Sequence, residues 1–206
     1  MFKATRLVGK VAVITASTEG IGFAIAKRLS AEGASVVISS RKESNVNKAV
    51  ETLQKQGHQN VSGVVCHVAN TNERQKLFEH TDKLYGGIDI LVSNAAVNPA
   101  NEPLVECSEM VWDKIFDVNL KSSFLLTQEA LPYMRKKKGG SIVYVSSIGG
   151  FKQFKVSILI QRPATPHQVN LTGTAEKVRL SGLPDSLSGL PDREWLAQVL
   201  VLIYNL

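Results

Sequence analysis

The chain has few cysteines and no long apolar segment, and both absences narrow the classes of protein to which it can belong. Only Cys66 and Cys107 occur in 206 residues, which excludes a framework of disulfide bridges and suits a reducing compartment. No apolar run approaches the roughly 18 residues that a membrane span needs. We therefore expect a protein of the cytoplasm without a membrane span.

Basic residues outnumber acidic ones, but their arrangement is not that of a nucleic-acid interface. The formal net charge is +6. The dense cluster at residues 135–138 precedes Gly139 and Gly140, a pattern typical of a helix end, where cations meet the negative end of the dipole. Basic residues are not interleaved with aromatic residues as in single-strand binders. We expect no nucleic-acid partner, and the positive field suits an anionic cofactor.

Short apolar segments alternate with amphipathic ones from residue 10 to residue 147. The segments with a strand pattern are 11–14, 35–39, 61–68, 90–93 and 141–146. The segments with a helix pattern are 21–32, 44–56, 72–85 and 108–138, the last interrupted near Asn119 and at Pro132. This alternation predicts a parallel sheet covered on both faces and doubly wound.

The predicted fold class is therefore α/β, a Rossmann sheet in the order 3-2-1-4-5 that is truncated after about five strands. Residues 1–150 would form the dinucleotide-binding domain and residues 151–206 a divergent tail of uncertain fold. In the tail, residues 156–160 have a strand pattern, and Asp192 is placed to cap a helix over 192–203. Strand five would be an open edge of the sheet.

A glycine-containing turn at residues 15–22 follows the first strand. Gly20 and Gly22 there would let the backbone approach a pyrophosphate at the helix N-terminus. Ala16 occupies the first glycine position of the usual fingerprint. The alternative is a glycine turn that binds no ligand.

No acidic residue ends the second strand, where one would bind a ribose hydroxyl. Ser40, Arg41 and Lys42 occupy that place, and arginine can bind a 2′-phosphate in a bidentate manner. This pattern favours NADP(H) over NAD(H). The alternative is that Arg41 and Lys42 are solvated loop charges.

Two further strands end in residues suited to a cofactor site. Asn94 follows the fourth strand among small residues that allow close approach to a ribose, although an ordinary turn has the same pattern. Ser147 ends the fifth strand and is a candidate catalytic serine.

Together these segments resemble the short-chain dehydrogenase/reductase family. The segments that match are residues 15–22, 94–96, 117–119 and 140–147. The likeness is strongest to a subgroup of NADP-dependent retinol dehydrogenases and carbonyl reductases, dehydrogenase/reductase SDR family member 4. That subgroup also matches residues 39–42, 66–68 and 88–99. The resemblance covers about residues 9–151.

The resemblance implies a role for each matching residue. The cofactor-binding positions are Ser17, Gly20, Ile21, Gly22, Ser40, Arg41, His67, Val68 and Asn94. Gly20 and Gly22 would line the pyrophosphate, with Ser17 and Ile21 nearby. The next two residues of that list would hold the 2′-phosphate, the two after them would border the adenine, and the last would contact the ribose. Most relatives have an aspartate in place of His67. No metal is implied.

The catalytic half departs from the family pattern. The resemblance implies that Asn119 holds a water of the proton relay and that Ser147 hydrogen-bonds the substrate carbonyl. The family's tyrosine and lysine would fall at Ile160 and Ala164, which cannot replace them. A general acid contributes about 10²–10⁴-fold. Tyr144 is no substitute, because strand alternation turns it to the face opposite Ser147.

By resemblance the protein is an NADP(H)-dependent oxidoreductase of small-molecule carbonyls and alcohols, of the carbonyl or retinal reductase type. Without the tyrosine and lysine we expect little or no activity. One alternative is a non-catalytic NADP(H)-binding or interaction protein that forms homo- or hetero-oligomers with full-length relatives; another is an active reductase with a different proton donor. The family also implies peroxisomal or mitochondrial locations, but residues 204–206 do not match a peroxisomal signal.

Overall fold

A six-stranded sheet in the order β3-β2-β1-β4-β5-β6 forms the centre of the molecule. The computed structural model describes residues 6–99, 104–147 and 199–205. The strands are β1 Val11–Ile14, β2 Ser35–Ser40, β3 Val61–Val65, β4 Ile90–Ser93, β5 Ser141–Ser147 and β6 Val199–Asn205. The helices are α1 Gly20–Ala31, α2 Glu43–Lys55, α3 Thr71–Tyr85, α4 Glu109–Phe116 and α5 Ser122–Lys136, with a π-helical turn at Asp117–Lys121 and a 3₁₀ turn at Leu104–Glu106.

The first five strands are parallel and have the predicted order, which confirms the Rossmann fold. Alternation along β1 divides the core between the two faces of the sheet. Val13 packs in one apolar cluster with Leu91 and Leu126, whereas Ala12 and Ile14 pack in the other. Helices cover both faces, so β1 is buried along its whole length.

A sixth strand differs from the prediction. The backbone of β6 runs antiparallel to β5, with Ser147 opposite Val199 and Ser141 opposite Asn205. The helix predicted over 192–203 is therefore wrong for residues 199–203. The physical reason is that this run is rich in β-branched residues and that the open edge of β5 offers unpaired N–H and C=O groups, a non-local factor that outweighs helical periodicity. The predicted strand at 156–160 lies outside the described residues.

The long helical segment before β5 behaves partly as expected. The predicted interruption near Asn119 is the π-helical turn, whereas Pro132 stays inside α5. Asn70 caps α3 by accepting a hydrogen bond from the Glu73 N–H at 3.3 Å. None of the helices in the described part of the chain has the length and hydropathy that crossing a bilayer would require.

Candidate functional site: a groove at the carboxyl edge of the sheet

Two adjoining cavities lie beyond the carboxyl ends of the parallel strands, where open α/β sheets bind ligands. The larger cavity has a volume of about 440 Å³ and the smaller about 190 Å³. Both cavities are lined by Ala16, Glu19, Ala95 and Ala96. The turn between β1 and α1 and the segment that follows β4 therefore lie between the two cavities. Together the cavities form an elongated groove suited to a two-part ligand.

The turn between β1 and α1 is built to let a ligand approach the backbone. Ala16 has φ +48° and Gly20 φ +58°, both in the left-handed region. A Cβ on Gly22 would lie 2.6 Å from the Ala16 carbonyl oxygen, so only glycine fits. No side chain caps the N-terminus of α1 at Glu19, which leaves backbone N–H groups for an anion.

Ser17 does not line the groove, although it was predicted to bind cofactor. Its hydroxyl is buried and donates to the Ile14 carbonyl at 2.7 Å while accepting from the Ser39 N–H at 3.0 Å. The Ser17 N–H also donates to the Ser39 carbonyl at 2.9 Å. Ser17 therefore fixes the glycine turn to β2. Gly22 likewise lies beneath the groove rather than in its wall.

Asn94 connects the end of β4 to the same turn. Its amide nitrogen donates to the carbonyl oxygens of Thr15 and Ala16, each at 3.0 Å. The Thr15 hydroxyl oxygen in turn accepts from the backbone N–H groups of Asn94 and Ala95, at 3.0 and 3.1 Å. Because these bonds hold the turn from two sides, the wall between the cavities is preorganised.

The smaller cavity brings together the residues predicted for the adenosine end. Ser40, Arg41, His67 and Val68 all line it. Arg41 is exposed at the end of β2, and no acidic side chain in the described part of the chain forms an ion pair with it. Its guanidinium is thus available to an anionic ligand.

Cys66 also borders the smaller cavity, yet its chemistry is that of a buried thiol. Burial, with a smaller contribution from the Glu73 carboxylate, raises the pKa of Cys66 to about 12. The thiolate is the reactive form of cysteine. Cys66 is therefore a packing residue and not a nucleophile.

The larger cavity is lined by Gly20, Ile21, Asn94, Asn119 and Ser147, all of them predicted site residues. The side chain of Asn119 pairs with the backbone of Val97, accepting from its N–H at 2.7 Å and donating to its carbonyl at 2.9 Å. Asn119 thereby ties the π-helical turn to the segment after β4.

Tyr144 lines the larger cavity together with Ser147. The two belong to opposite faces of β5, as alternation predicts: Ile142 and Tyr144 pack in one cluster and Val143 and Val145 in the other. The cavity is lined by four consecutive residues at the end of β5, 144–147, so residues of both faces contribute to it. The Tyr144 hydroxyl contacts the Thr127 hydroxyl.

Several residues that line the larger cavity were not among the predicted site residues, and those with polar side chains include Glu19, Ser123 and Tyr144. Glu19 lies within the glycine turn at residues 15–22, so its position in the sequence indicated that it would lie close to the site. Ser123 follows Asn119 by one helical turn and accepts a hydrogen bond from the Ser93 hydroxyl at 3.0 Å. In the described part of the chain, no cluster of His, Cys, Asp or Glu is arranged to hold a metal ion.

Comparison with known proteins decides the family. The sequence profile of the short chain dehydrogenase family matches residues 10–159. The chain belongs to that family. Membership implies a nicotinamide dinucleotide cofactor, NAD(H) or NADP(H). The groove described above fits such a cofactor because Gly20 and the uncapped N-terminus of α1 lie at it.

Known proteins that are similar in sequence to this chain include reductases and dehydrogenases. Tropinone reductase-like 3 of Erythroxylum coca is 51% identical over 183 residues, 89% of this chain and 65% of that protein. Human dehydrogenase/reductase SDR family member 4 is 54% identical over 145 residues, 70% of this chain and 52% of that protein. This chain thus spans between about half and two-thirds of the length of these relatives.

A solved structure shares the fold. A short chain dehydrogenase from Mycobacterium smegmatis superposes with a TM-score of 0.69 at 35% identity, covering 73% of this chain and 63% of that one. The family profile and the alignment to the Erythroxylum protein both run past residue 151, where the sequence analysis placed the end of the resemblance.

Proposed function

We propose that the groove binds NADP(H), with the 2′-phosphate at Ser40 and Arg41, the adenine in the smaller cavity and the nicotinamide in the larger. The observation that supports this most is the unpaired Arg41 at the end of β2, with Ser40 beside it in the wall of the smaller cavity. Arginine binds phosphate in a bidentate, charge-assisted manner. The pyrophosphate would bind at the β1–α1 turn, whose shape requires glycine at position 22, and at the free N–H groups of α1.

A fluorescence titration with NADPH and with NADH tests the cofactor assignment. We expect NADPH to bind more tightly, and Arg41→Ala to weaken NADPH binding about 10- to 100-fold, because hydrogen bonds to charged groups contribute about 1.5–3 kcal/mol. NADH binding should not change. Lys42→Ala is the matched control, since it removes the same charge from the next residue. Equal affinities for the two dinucleotides, or an Arg41→Ala variant that binds like the control, would refute the assignment.

We further propose that this chain has carbonyl–alcohol oxidoreductase ancestry but little or no turnover. A bound reduced nicotinamide supplies hydride, and the protein must supply a proton to the developing alkoxide. Ile160 and Ala164 occupy the positions at which the resemblance implies the tyrosine and lysine. Among the described residues that line the larger cavity, Tyr144 is the sole phenol, and its hydroxyl is engaged with Thr127.

The test is NADPH oxidation in the presence of dicarbonyls, retinal and aromatic ketones. We expect a rate indistinguishable from that of buffer with cofactor. Carbonyl-dependent oxidation that is lost in Ser147→Ala would contradict the proposal and indicate a different proton donor. Tyr144→Phe would then decide whether Tyr144 is that donor.

A second candidate function is that of a non-catalytic partner for full-length relatives, and an exposed apolar surface on α4 and α5 favours it. The surface comprises Met110, Trp112, Leu120 and Phe124, with Phe124 63% exposed. The Trp112 and Phe116 rings are tilted by 35° to one another, with centroids 4.5 Å apart. Contiguous patches of exposed apolar side chains are typical of protein–protein contacts.

Light scattering tests the pairing, on the chain alone and mixed with human dehydrogenase/reductase SDR family member 4. We expect a complex in at least one sample, and its loss in Phe124→Ser. Leu84→Ser is the control, because Leu84 is a comparably exposed residue on α3, 51% accessible. Monomers in both samples would exclude the second candidate.

A further inference from the structure

The ring of His67 is held in one orientation by a short network of hydrogen bonds. Its Nδ1 accepts from the Ala69 N–H at 3.2 Å. The backbone N–H of His67 donates to the Glu73 Oε2 at 2.6 Å, and the backbone carbonyl of His67 accepts from the Asn70 N–H at 2.8 Å. The backbone and the ring of His67 are therefore fixed by the N-terminus of α3.

This network determines which ring nitrogen has the proton. A nitrogen that accepts a hydrogen bond bears no proton, so the neutral imidazole is protonated at Nε2. No group in the described residues accepts from Nε2. His67 is half-buried in the wall of the smaller cavity and so offers one hydrogen-bond donor to a ligand there.

We propose that His67 makes this chain tolerant of the purine base in its dinucleotide, so that it accepts hypoxanthine about as well as adenine. This inference rests on the proposed function, which places the base in the smaller cavity. A donor cannot pair with the 6-amino group of adenine, but it can pair with N3 or N7, which accept hydrogen bonds in both purines, or with the 6-oxo group of hypoxanthine. The nearby Glu73 carboxylate accepts a hydrogen bond from the backbone N–H of His67 and does not line the cavity.

A carboxylate at position 67 would create a preference for adenine, because it can only accept hydrogen bonds. Facing the 6-position of the purine, it would accept from the adenine amino group and repel the oxygen that replaces this group in hypoxanthine. His67→Gln, in contrast, keeps a donor and can rotate to present its acceptor. The two variants therefore separate the chemistry of the side chain from the general effect of replacing it.

The experiment compares NADPH with its hypoxanthine analogue by fluorescence of the dihydronicotinamide, which both dinucleotides share. For the native protein and for His67→Gln we expect dissociation constants within about threefold of each other. For His67→Asp we expect a preference for NADPH of about tenfold or more, the range of a charge-assisted hydrogen bond. Thermal unfolding of each variant reports whether it is folded.

Each outcome is informative. If the native protein prefers NADPH by more than about threefold, or if His67→Asp has the native ratio, the inference is overturned while the cofactor site stands. If His67→Asp fails to fold, the native and His67→Gln ratios decide: within about threefold they support the inference, and above about threefold they overturn it. If neither dinucleotide binds the folded native protein, the proposed function itself fails, and this inference fails with it.

Discussion

The amide nitrogen of Asn94 lies 2.6 Å from the point at which a Cβ on Gly22 would stand. Asn94 follows β4 and Gly22 lies in the first turn of α1, so the two meet across the β1–α1 turn. The same nitrogen donates to the Thr15 and Ala16 carbonyls and has no room to retreat without breaking those bonds. The glycine and the asparagine together fix the shape of the β1–α1 turn.

Gly22→Ala should therefore damage both stability and NADPH binding. The added methyl group meets the Ala16 carbonyl oxygen and the Asn94 amide, and overpacking of this kind costs about 1–3 kcal/mol. Displacement of the turn should weaken NADPH binding about tenfold or more, the effect of one lost charge-assisted hydrogen bond. Urea denaturation and fluorescence titration give the two values.

Gly57→Ala is the matched control for that variant. Gly57 has φ +92° and open space around it, so alanine there costs about 1–2 kcal/mol of backbone strain with no steric contact. It lies between α2 and β3, at the edge of the sheet away from the groove. Similar loss of NADPH affinity in both variants would contradict a specific role for Gly22.

Local patterns in the sequence predicted most of the sheet. The bounds of β1 and β4 agree with the sequence because each is a short buried run of apolar residues between turn signals, so local and tertiary preferences coincide. The glycine turn, Arg41 and Ser147 were predicted at strand ends, and they line one groove because the ends of parallel strands meet at one edge.

What the sequence could not predict depends on non-local geometry. The β6 strand forms because β5 has an open edge whose backbone N–H and C=O groups can pair with it. The periodicity of residues 199–205 has no information about that edge. The Ser17 hydroxyl turns inward to Ile14 and Ser39, whose positions are set by two strands. Tyr144 and Ser147 both line the larger cavity although they lie on opposite faces of β5, and strand alternation has no information about which residues a cavity includes.

Arg74 is a buried cation whose removal should be costly. It is 1% exposed and donates to Glu129 Oε1 at 2.8 and 3.0 Å and to the Val68 carbonyl at 2.7 Å. Arg74→Met would leave the Glu129 carboxylate without its partner, and breaking a buried pair costs about 3–5 kcal/mol. Urea denaturation should register that loss in the free energy of unfolding.

The double variant Arg74→Met with Glu129→Leu should recover more than half of the lost stability. An apolar pair of similar volume removes the uncompensated charge, and such replacements are often neutral. The coupling between the two positions is the quantity to measure. Arg74 also donates to the Thr71 hydroxyl at 3.2 Å. A double variant no more stable than Arg74→Met would mean that the bonds of Arg74 to Val68 and Thr71, rather than the ion pair, dominate.

The Glu32 carboxylate should make stability depend on pH in the acid range. Hydrogen bonds from Arg6, and then from Arg28, lower the pKa of Glu32 from 4.5 to about 2 against the opposing effect of burial. A carboxyl group whose pKa is lower in the folded state stabilises the fold fully above its unfolded pKa. That stabilisation should disappear as pH falls from about 4.5 through about 2.

The measurement is the difference in unfolding free energy between the native protein and Glu32→Gln at several pH values. We expect the difference to be constant from neutral pH down to about 4.5 and to shrink below it. Glu51→Gln is the control, because Glu51 pairs with Lys55 on the exposed surface of α2. A difference for Glu32→Gln that does not change between pH 7 and pH 3 would contradict the ion-pair explanation.

Reaction with a thiol reagent should distinguish the two cysteines. With a pKa of about 12, Cys66 is thiolate in about one molecule in 10⁴ at pH 8, and it is also 3% exposed. Cys107 is half-buried and lies in a turn before α4. We expect one thiol to react in the native protein, none in Cys107→Ser and both of the native thiols in urea. Rapid labelling of folded Cys107→Ser would mean that the floor of the smaller cavity opens to solvent, and the adenosine end would then not be the preformed site proposed above.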